Sequence, residues 1–234
     1  MLILSLDTTT RAGSAAIVRD GVVVHEQVGD PSRTHGQRLP EELMRLLATA
    51  GARLEHIDLF AVAAGPGSFT GLRVGIATVQ GLAFAGDRRV VPVSVLDALA
   101  RTAHGPTPSG DRFIVPWMDA QRGEVFAAVY ETDARTVVAA ATSAPPAATL
   151  DALAPHAAAR PIWFVGDGAV RYRDAIATRL GDRARVEDGV PALAGIIGAI
   201  AGERAAHAVL PHAVVPIYIR RPDAELARAR RAGR

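Results

Sequence analysis

The chain of 234 residues has no cysteine and no lysine. Without cysteine there is no disulfide, no thiolate nucleophile and no zinc site built on thiolates. Without lysine, no glycine-rich turn in it can end in the Gly-Lys-[Ser/Thr] of a P-loop. Aromatic residues are scarce, at 5%, so the core is expected to consist of small and branched side chains. Long apolar runs are missing as well. Ile196–Ala206 is short and is broken by Gly202 and Arg204, so no membrane span is expected. Leu2–Leu6 has no basic flank before it, which argues against a targeting segment and for a cytoplasmic protein. The seven histidines are scattered, and no two are four apart. His207 and His212 have Pro211 between them, so they cannot share a helical face. No His-Glu-x-x-His occurs, and no metal site is expected.

What the chain does have is a hydrophobic fraction of 49% and a net charge of only +2. That is ample for a packed core. Arginine supplies all of the Lys+Arg charge, and Arg220, Arg221, Arg228, Arg230, Arg231 and Arg234 crowd the C-terminal end. Such a tail reads first as a solvated terminus and second as a contact for RNA phosphates.

The most informative segment is Ala64-Gly-Pro-Gly-Ser-Phe-Thr-Gly-Leu-Arg-Val-Gly75. An apolar run, Ile57–Ala63, precedes it and reads as a buried strand, and Phe69–Ala85 reads as a helix. Strand, glycine-rich turn and helix N-terminus can together present backbone N–H groups to an anion. The turn does not fit Gly-x-Ser-x-Gly, because Phe69 and Thr70 separate Ser68 from Gly71. Ser68 therefore reads as a helix N-cap and not as a nucleophile.

The chain also reads as one unit written twice. Strand-like Leu2–Leu6 ends at Asp7, and Ser14–Arg19 and Val22–Val28 form a hairpin about Asp20-Gly21. A helix, a strand, the glycine-rich turn and a second helix follow. Val90–Val93 and Leu96–Ala103 close this half as a strand and a helix. Arg112–Trp117 then restarts the pattern and ends near Asp119. After it come strands Val125–Tyr130 and Thr136–Ala141, helix Thr149–Ala154, strand Ile162–Val165, a Gly166-Asp-Gly turn, and helices Ala169–Leu180 and Ala192–Ala206. The expected fold is α/β, a duplication of two β-β-β-α-β-α units. The first unit spans 1–104 and an abbreviated second spans 105–221, with Gly105–Gly110 as linker and 222–234 as a basic tail.

The helix after Thr34-His-Gly-Gln37 opens with a capping-box pattern and has Pro40 in its first turn. Leu39, Leu43, Leu46, Leu47 and Ala50 make its apolar stripe, with Met44 beside it. The helix after Ser68 is apolar on two sides. Leu72, Ile76, Val79 and Ala83 form one side, and Gly71, Gly75, Thr78 and Leu82 form the other. One side can cover the sheet, and the glycine side permits close approach of a second helix.

Gly-Pro-Gly-Ser-Phe-Thr-Gly-Leu-Arg-Val-Gly closely resembles the signature of the TsaB (YeaZ) family. Leu6-Asp-Thr-Thr-Thr10, His35 ahead of Leu39-Pro40, Met118–Phe126, Gly166-Asp-Gly-Ala169 and Pro216-Ile-Tyr-Ile-Arg220 agree in order, so the resemblance runs from Leu2 to about Arg221. It implies the ASKHA (actin/Hsp70/sugar kinase, ribonuclease H-like) fold. It also implies a non-catalytic subunit in synthesis of N6-threonylcarbamoyladenosine at position 37 of ANN-reading tRNAs. Such a subunit docks on the transferase TsaD, with TsaE joining, pairs with itself when alone, and meets tRNA through the complex. The docking residues implied are Leu39, Leu43, Met44, Leu47, Gly71, Gly75, Thr78 and Leu82. In ASKHA kinases a carboxylate closing each half's first strand faces a nucleotide cleft. Here the corresponding set is Asp7, Thr8, Thr9, Gly65, Gly67, Ser68, Asp119 and Gly166. Gln121-Arg-Gly123 is a thin second phosphate turn, so the cleft is read as degenerate. The chain is expected to need no cofactor and to bind ATP or ADP weakly at most. A small ASKHA phosphotransferase using Asp7 and Asp119, or an RNA-binding module using the arginine tail, are the alternatives.

Overall fold

The computed structural model describes residues 1–103 and 111–220. The Gly105–Gly110 linker and the 222–234 tail read from the sequence lie outside the described residues. Two five-stranded sheets of the same design are present, ordered β3-β2-β1-β4-β5 and β8-β7-β6-β9-β10 from one edge to the other. In the first, β1 (Leu2–Asp7), β2 (Ser14–Arg19) and β3 (Val22–Val28) form an antiparallel meander, and β4 (Leu59–Gly65) and β5 (Arg89–Ser94) add in parallel. In the second, β6 (Phe113–Asp119), β7 (Val125–Tyr130) and β8 (Val137–Ala144) repeat the meander. There β9 (Ile162–Val165) and β10 (Ala184–Val186) add in parallel. The central strands β1 and β4 are buried throughout and, but for Ser5 and Asp7, apolar, as suits strands covered on both faces. The expected duplication is therefore present, and β10 is a strand that the sequence reading did not include.

The helices are α1 (His35–Thr49), α2 (Phe69–Ala85), α3 (Val95–Thr102), α4 (Pro146–Ala159), α5 (Asp167–Arg171), α6 (Arg173–Leu180) and α7 (Ala194–Glu203). The single helix expected over Ala169–Leu180 is two, because Tyr172 leaves helical geometry between them. The capping box of α1 is in place, with the Gln37 side chain accepting from the Thr34 N–H. Ser68 caps α2 by accepting from the Gly71 N–H at 3.3 Å, as expected.

The halves are interlocked. Helix α7 belongs to the second half by sequence, yet it lies on β1, β2 and β4 of the first sheet. Its N-terminal N–H groups lack a cap of their own. Ser14 Oγ accepts from Leu193 and Ala194, and Glu26 accepts from Gly195 at 2.8 Å. These oxygens satisfy donors that a helix end otherwise leaves unpaired. In return α3 of the first half packs on β6 of the second sheet. One hydrophobic cluster joins Ile3, Val18 and Val91 to Ile114, Met118, Phe126, Ile197 and Ile200.

Candidate functional site

A cleft of about 1170 Å³ opens between the two sheets, on the side where β1, β4 and β6 end. Its walls come from the turn after β1 (Thr9–Arg11), the approach to α1 (Ser32–Gly36) and the start of α2 (Pro66–Leu72). Met118–Arg122, Asp167 and the C-terminal segment Ile217–Arg220 complete it. Of the cleft residues expected from the sequence, Thr9, Gly67, Ser68 and Asp119 line it, whereas Asp7, Thr8, Gly65 and Gly166 do not.

The geometry shows what those residues do there. Asp7 is buried, and its Oδ1 accepts from the Thr9 N–H at 2.8 Å and the Thr9 hydroxyl at 2.6 Å. Burial holds its carboxyl above the ordinary range, against the pull of those two bonds. The Thr8 hydroxyl donates to the Gly71 carbonyl at 2.8 Å, and Ser68 N–H donates to the Thr9 carbonyl at 3.0 Å. The two glycine-side turns are in van der Waals contact. A Cβ on Gly67 would lie 2.5 Å from Thr9 Cβ. The Thr8 and Thr9 hydroxyls and the Ser68 N–H are thus each bonded to an acceptor of the same chain. Across the cleft, Asp119 accepts from Gln121 N–H at 3.0 Å and pairs with Arg171. Gly166 sits beneath it at φ 116°, where a Cβ would meet the Trp117 carbonyl at 2.6 Å. Gly65 fills the matching place in the first half at φ 123°, against the Ile217 carbonyl. Among the described residues no group of three or more His, Asp or Glu side chains could hold a metal ion.

The docking residues expected on α1 and α2 need correction. The close approach that Gly71 and Gly75 permit is to Thr8 of the same chain. A Cβ on Gly71 would stand 2.0 Å from the Thr8 carbonyl oxygen, and one on Gly75 2.1 Å from the Thr8 hydroxyl. Both glycines are buried, so neither is available to a second helix. Leu39, Leu43 and Leu47 are buried with Leu4, Ile17 and Ile76 in the first-half core. Thr78 is half-buried and donates to the Val74 carbonyl, and Leu82 packs on the same core. Of the expected set, Met44 alone is largely exposed, at 66%.

The outward face of α2 belongs instead to Ala77, Gly81 and Phe84. Phe84 is 81% exposed, and nothing stands within 4 Å of where a Gly81 Cβ would be. Spacing would have found this face, since residues 77, 81 and 84 recur at helical intervals. Composition hid it, because an apolar residue in an apolar helix looks like core. The sequence reading also passed over Arg38 and Glu42. These two form a buried ion pair one helical turn apart. Arg38 also donates to the Ala12 carbonyl and to His35 Nδ1, the latter at 2.7 Å. His35 Nε2–H then donates to the Thr10 carbonyl at 3.1 Å, which makes the ring the neutral Nε2–H tautomer. Burial and the Arg38 charge push its pKa below the ordinary value.

Duplicated sheets about a cleft, with a carboxylate closing the first strand of each half, define the ASKHA class. An activator of 2-hydroxyisocaproyl-CoA dehydratase from Clostridium difficile shares this fold at a TM-score of 0.53 and 16% identity, over 88% of this chain and 96% of that one. A family model described as TsaD, tRNA N6-adenosine threonylcarbamoyltransferase, matches residues 23–227. YeaZ from Pseudomonas aeruginosa superposes at a TM-score of 0.74 and 31% identity, over 93% of this chain and 99% of that one. The chain belongs to the TsaB (YeaZ) family. An uncharacterized protein of Mycobacterium tuberculosis is 34% identical over 95% of this chain and 93% of its own length. The tRNA threonylcarbamoyladenosine biosynthesis protein TsaB of Escherichia coli is 38% identical over 57% of this chain and 56% of its own length.

Proposed function

We propose that this chain is the non-catalytic subunit of a tRNA threonylcarbamoyladenosine synthesis complex, docking on a TsaD-type transferase through the outward faces of α1 and α2. The family supplies the pathway. The observation that carries the docking role is the exposed apolar face of Phe84, Gly81 and Ala77 on α2, together with exposed Met44 and Ala48 on the contacting helix α1. An exposed Phe and Met among small residues let a partner helix approach closely and exclude water. The cleft supports the absence of independent chemistry. Thr8, Thr9 and Asp7 are bonded within the chain, and Gly67 and Gly71 lie tight against Thr9 and Thr8, so these residues serve the fold of the turn. The test is reconstitution with the partner transferase, the threonylcarbamoyl-adenylate donor and tRNA. Modified adenosine should form only when this chain is added, and Asp7→Asn should support it as well as wild type. Turnover of ATP by the isolated chain, lost in Asp7→Asn, would instead establish the phosphotransferase.

A further inference from the structure

The mouth of the cleft carries an arrangement that docking through Phe84 and Met44 does not use. Phe69, at the first turn of α2, and Tyr218, near the C-terminal end of the described chain, meet with ring centroids 5.7 Å apart and planes 31° apart. The Arg73 guanidinium lies 3.9 Å over the Phe69 ring, and its Nε donates to the Tyr218 hydroxyl at 3.4 Å. Despite these contacts Phe69 remains 43% exposed and Tyr218 39%. The rings are not needed to fasten the segment, because Ile217 N–H donates to the Ala64 carbonyl at 2.7 Å and Arg220 pairs with Glu124. Arg11, Arg33, Arg122 and Arg220 line the same cleft, against Asp119 and Asp167. Arg171 neutralises Asp119, and burial holds the Asp167 carboxyl above its ordinary range. The described lining thus holds four arginines to two aspartates, with Arg33 and Arg220 each also paired to a glutamate outside it, Glu41 and Glu124. At the floor of the cleft Thr8 and Thr9 close on Gly71 and Gly67.

We propose that this mouth binds single-stranded RNA, with an unpaired base stacked on the Phe69–Tyr218 pair and the flanking phosphates held by Arg11 and Arg33. Aromatic rings take any base by its π-face, and guanidinium groups take phosphate oxygens in pairs. A free nucleoside triphosphate shares this chemistry. It concentrates its charge in one place, however, and the closed floor offers no cradle for that. A strand spreads its charge along its backbone, as the arginines are spread around the mouth.

The test uses the purified chain, a fluorescein-labelled heptaribonucleotide of mixed sequence, and anisotropy over a series of salt concentrations. Binding should saturate and weaken as salt rises. Tyr218→Leu and Phe69→Leu should each weaken it by roughly fivefold or more, and Tyr218→Phe should change it little. Arg11→Ala with Arg33→Ala, both on exposed side chains, should flatten the salt dependence. Excess ATP should not displace the strand. Absence of binding, affinity indifferent to Tyr218→Leu, or displacement by excess ATP would each overturn the proposal. If Tyr218→Leu fails to fold by circular dichroism, the arginine pair decides, and an unchanged affinity there overturns it. Docking on the transferase is measured separately on the same samples. A wild-type chain that docks on the transferase but binds no RNA refutes the cleft site and leaves the partner reading standing.

Discussion

At the scale of the residue, Thr8 and Gly75 define the account most sharply. The hydroxyl of Thr8 occupies the space that any Cβ on Gly75 would need. Gly75→Ala should therefore destabilise the fold by about 1–3 kcal/mol, read as a lower urea midpoint. Thr8→Ala in the same chain should recover part of that loss, because the two sites touch. Docking by the folded fraction should be unchanged. Asp7 offers a second prediction. Its folded-state pKa is raised by burial, so the charged form is disfavoured by folding. Asp7→Asn should then raise the urea midpoint at pH 7, and its advantage should shrink as pH falls towards the ordinary carboxylate range. The cleft residues were legible in the sequence because a threonine-rich turn after a strand and a Gly-Pro-Gly turn before a helix are local signals. What those residues do was not legible. Thr8 and Gly75 are far apart in the chain, and only the sheet register brings them together.

At the scale of the element, α1 is tied to the turn after β1 through Arg38, Glu42 and His35. The folded state favours neutral His35, so the unfolded chain takes up a proton first as pH falls. Stability should therefore be lost below pH ~6.5, the ordinary value for histidine, until the folded ring is also protonated. His35→Gln keeps an acceptor for Arg38 and a donor for Thr10, and should flatten this part of the profile in urea melts at pH 7.5 and 5.5. The helix and strand limits of the first half were readable because caps and turns mark them: Thr34, Ser68 and Asp20-Gly21 all stand where the chain changes direction. The second half was less readable. Tyr172 breaks a run that has no glycine or proline to announce it, and β10 is a short strand of half-buried and exposed residues. The residues expected to dock proved mostly buried for a related reason. The apolar stripe of α1 and the glycines of α2 are the residues that a helix turns inwards.

At the scale of the whole molecule, the exchange of α3 and α7 between the sheets makes the two halves one folding unit. Residues 1–103 alone would leave the first sheet without α7, exposing Ile3, Val18 and Val91. Such a fragment should show no cooperative melt, and adding residues 111–220 as a separate chain should restore one. The duplication itself was visible in the order of strands and helices, but the exchange was not, since sequence order alone does not say which sheet a helix covers. The same interlock leaves α1 and α2 with outward faces that no other part of the described chain covers. The most direct measurement is calorimetric titration of the partner transferase with wild type, Phe84→Glu and Met44→Glu. Wild type should bind saturably, Phe84→Glu should lose roughly tenfold or more in affinity, and Met44→Glu should lose less. Both variants should melt like wild type, because both side chains are exposed. Wild-type affinity in both variants, with the fold intact, would contradict docking through these faces.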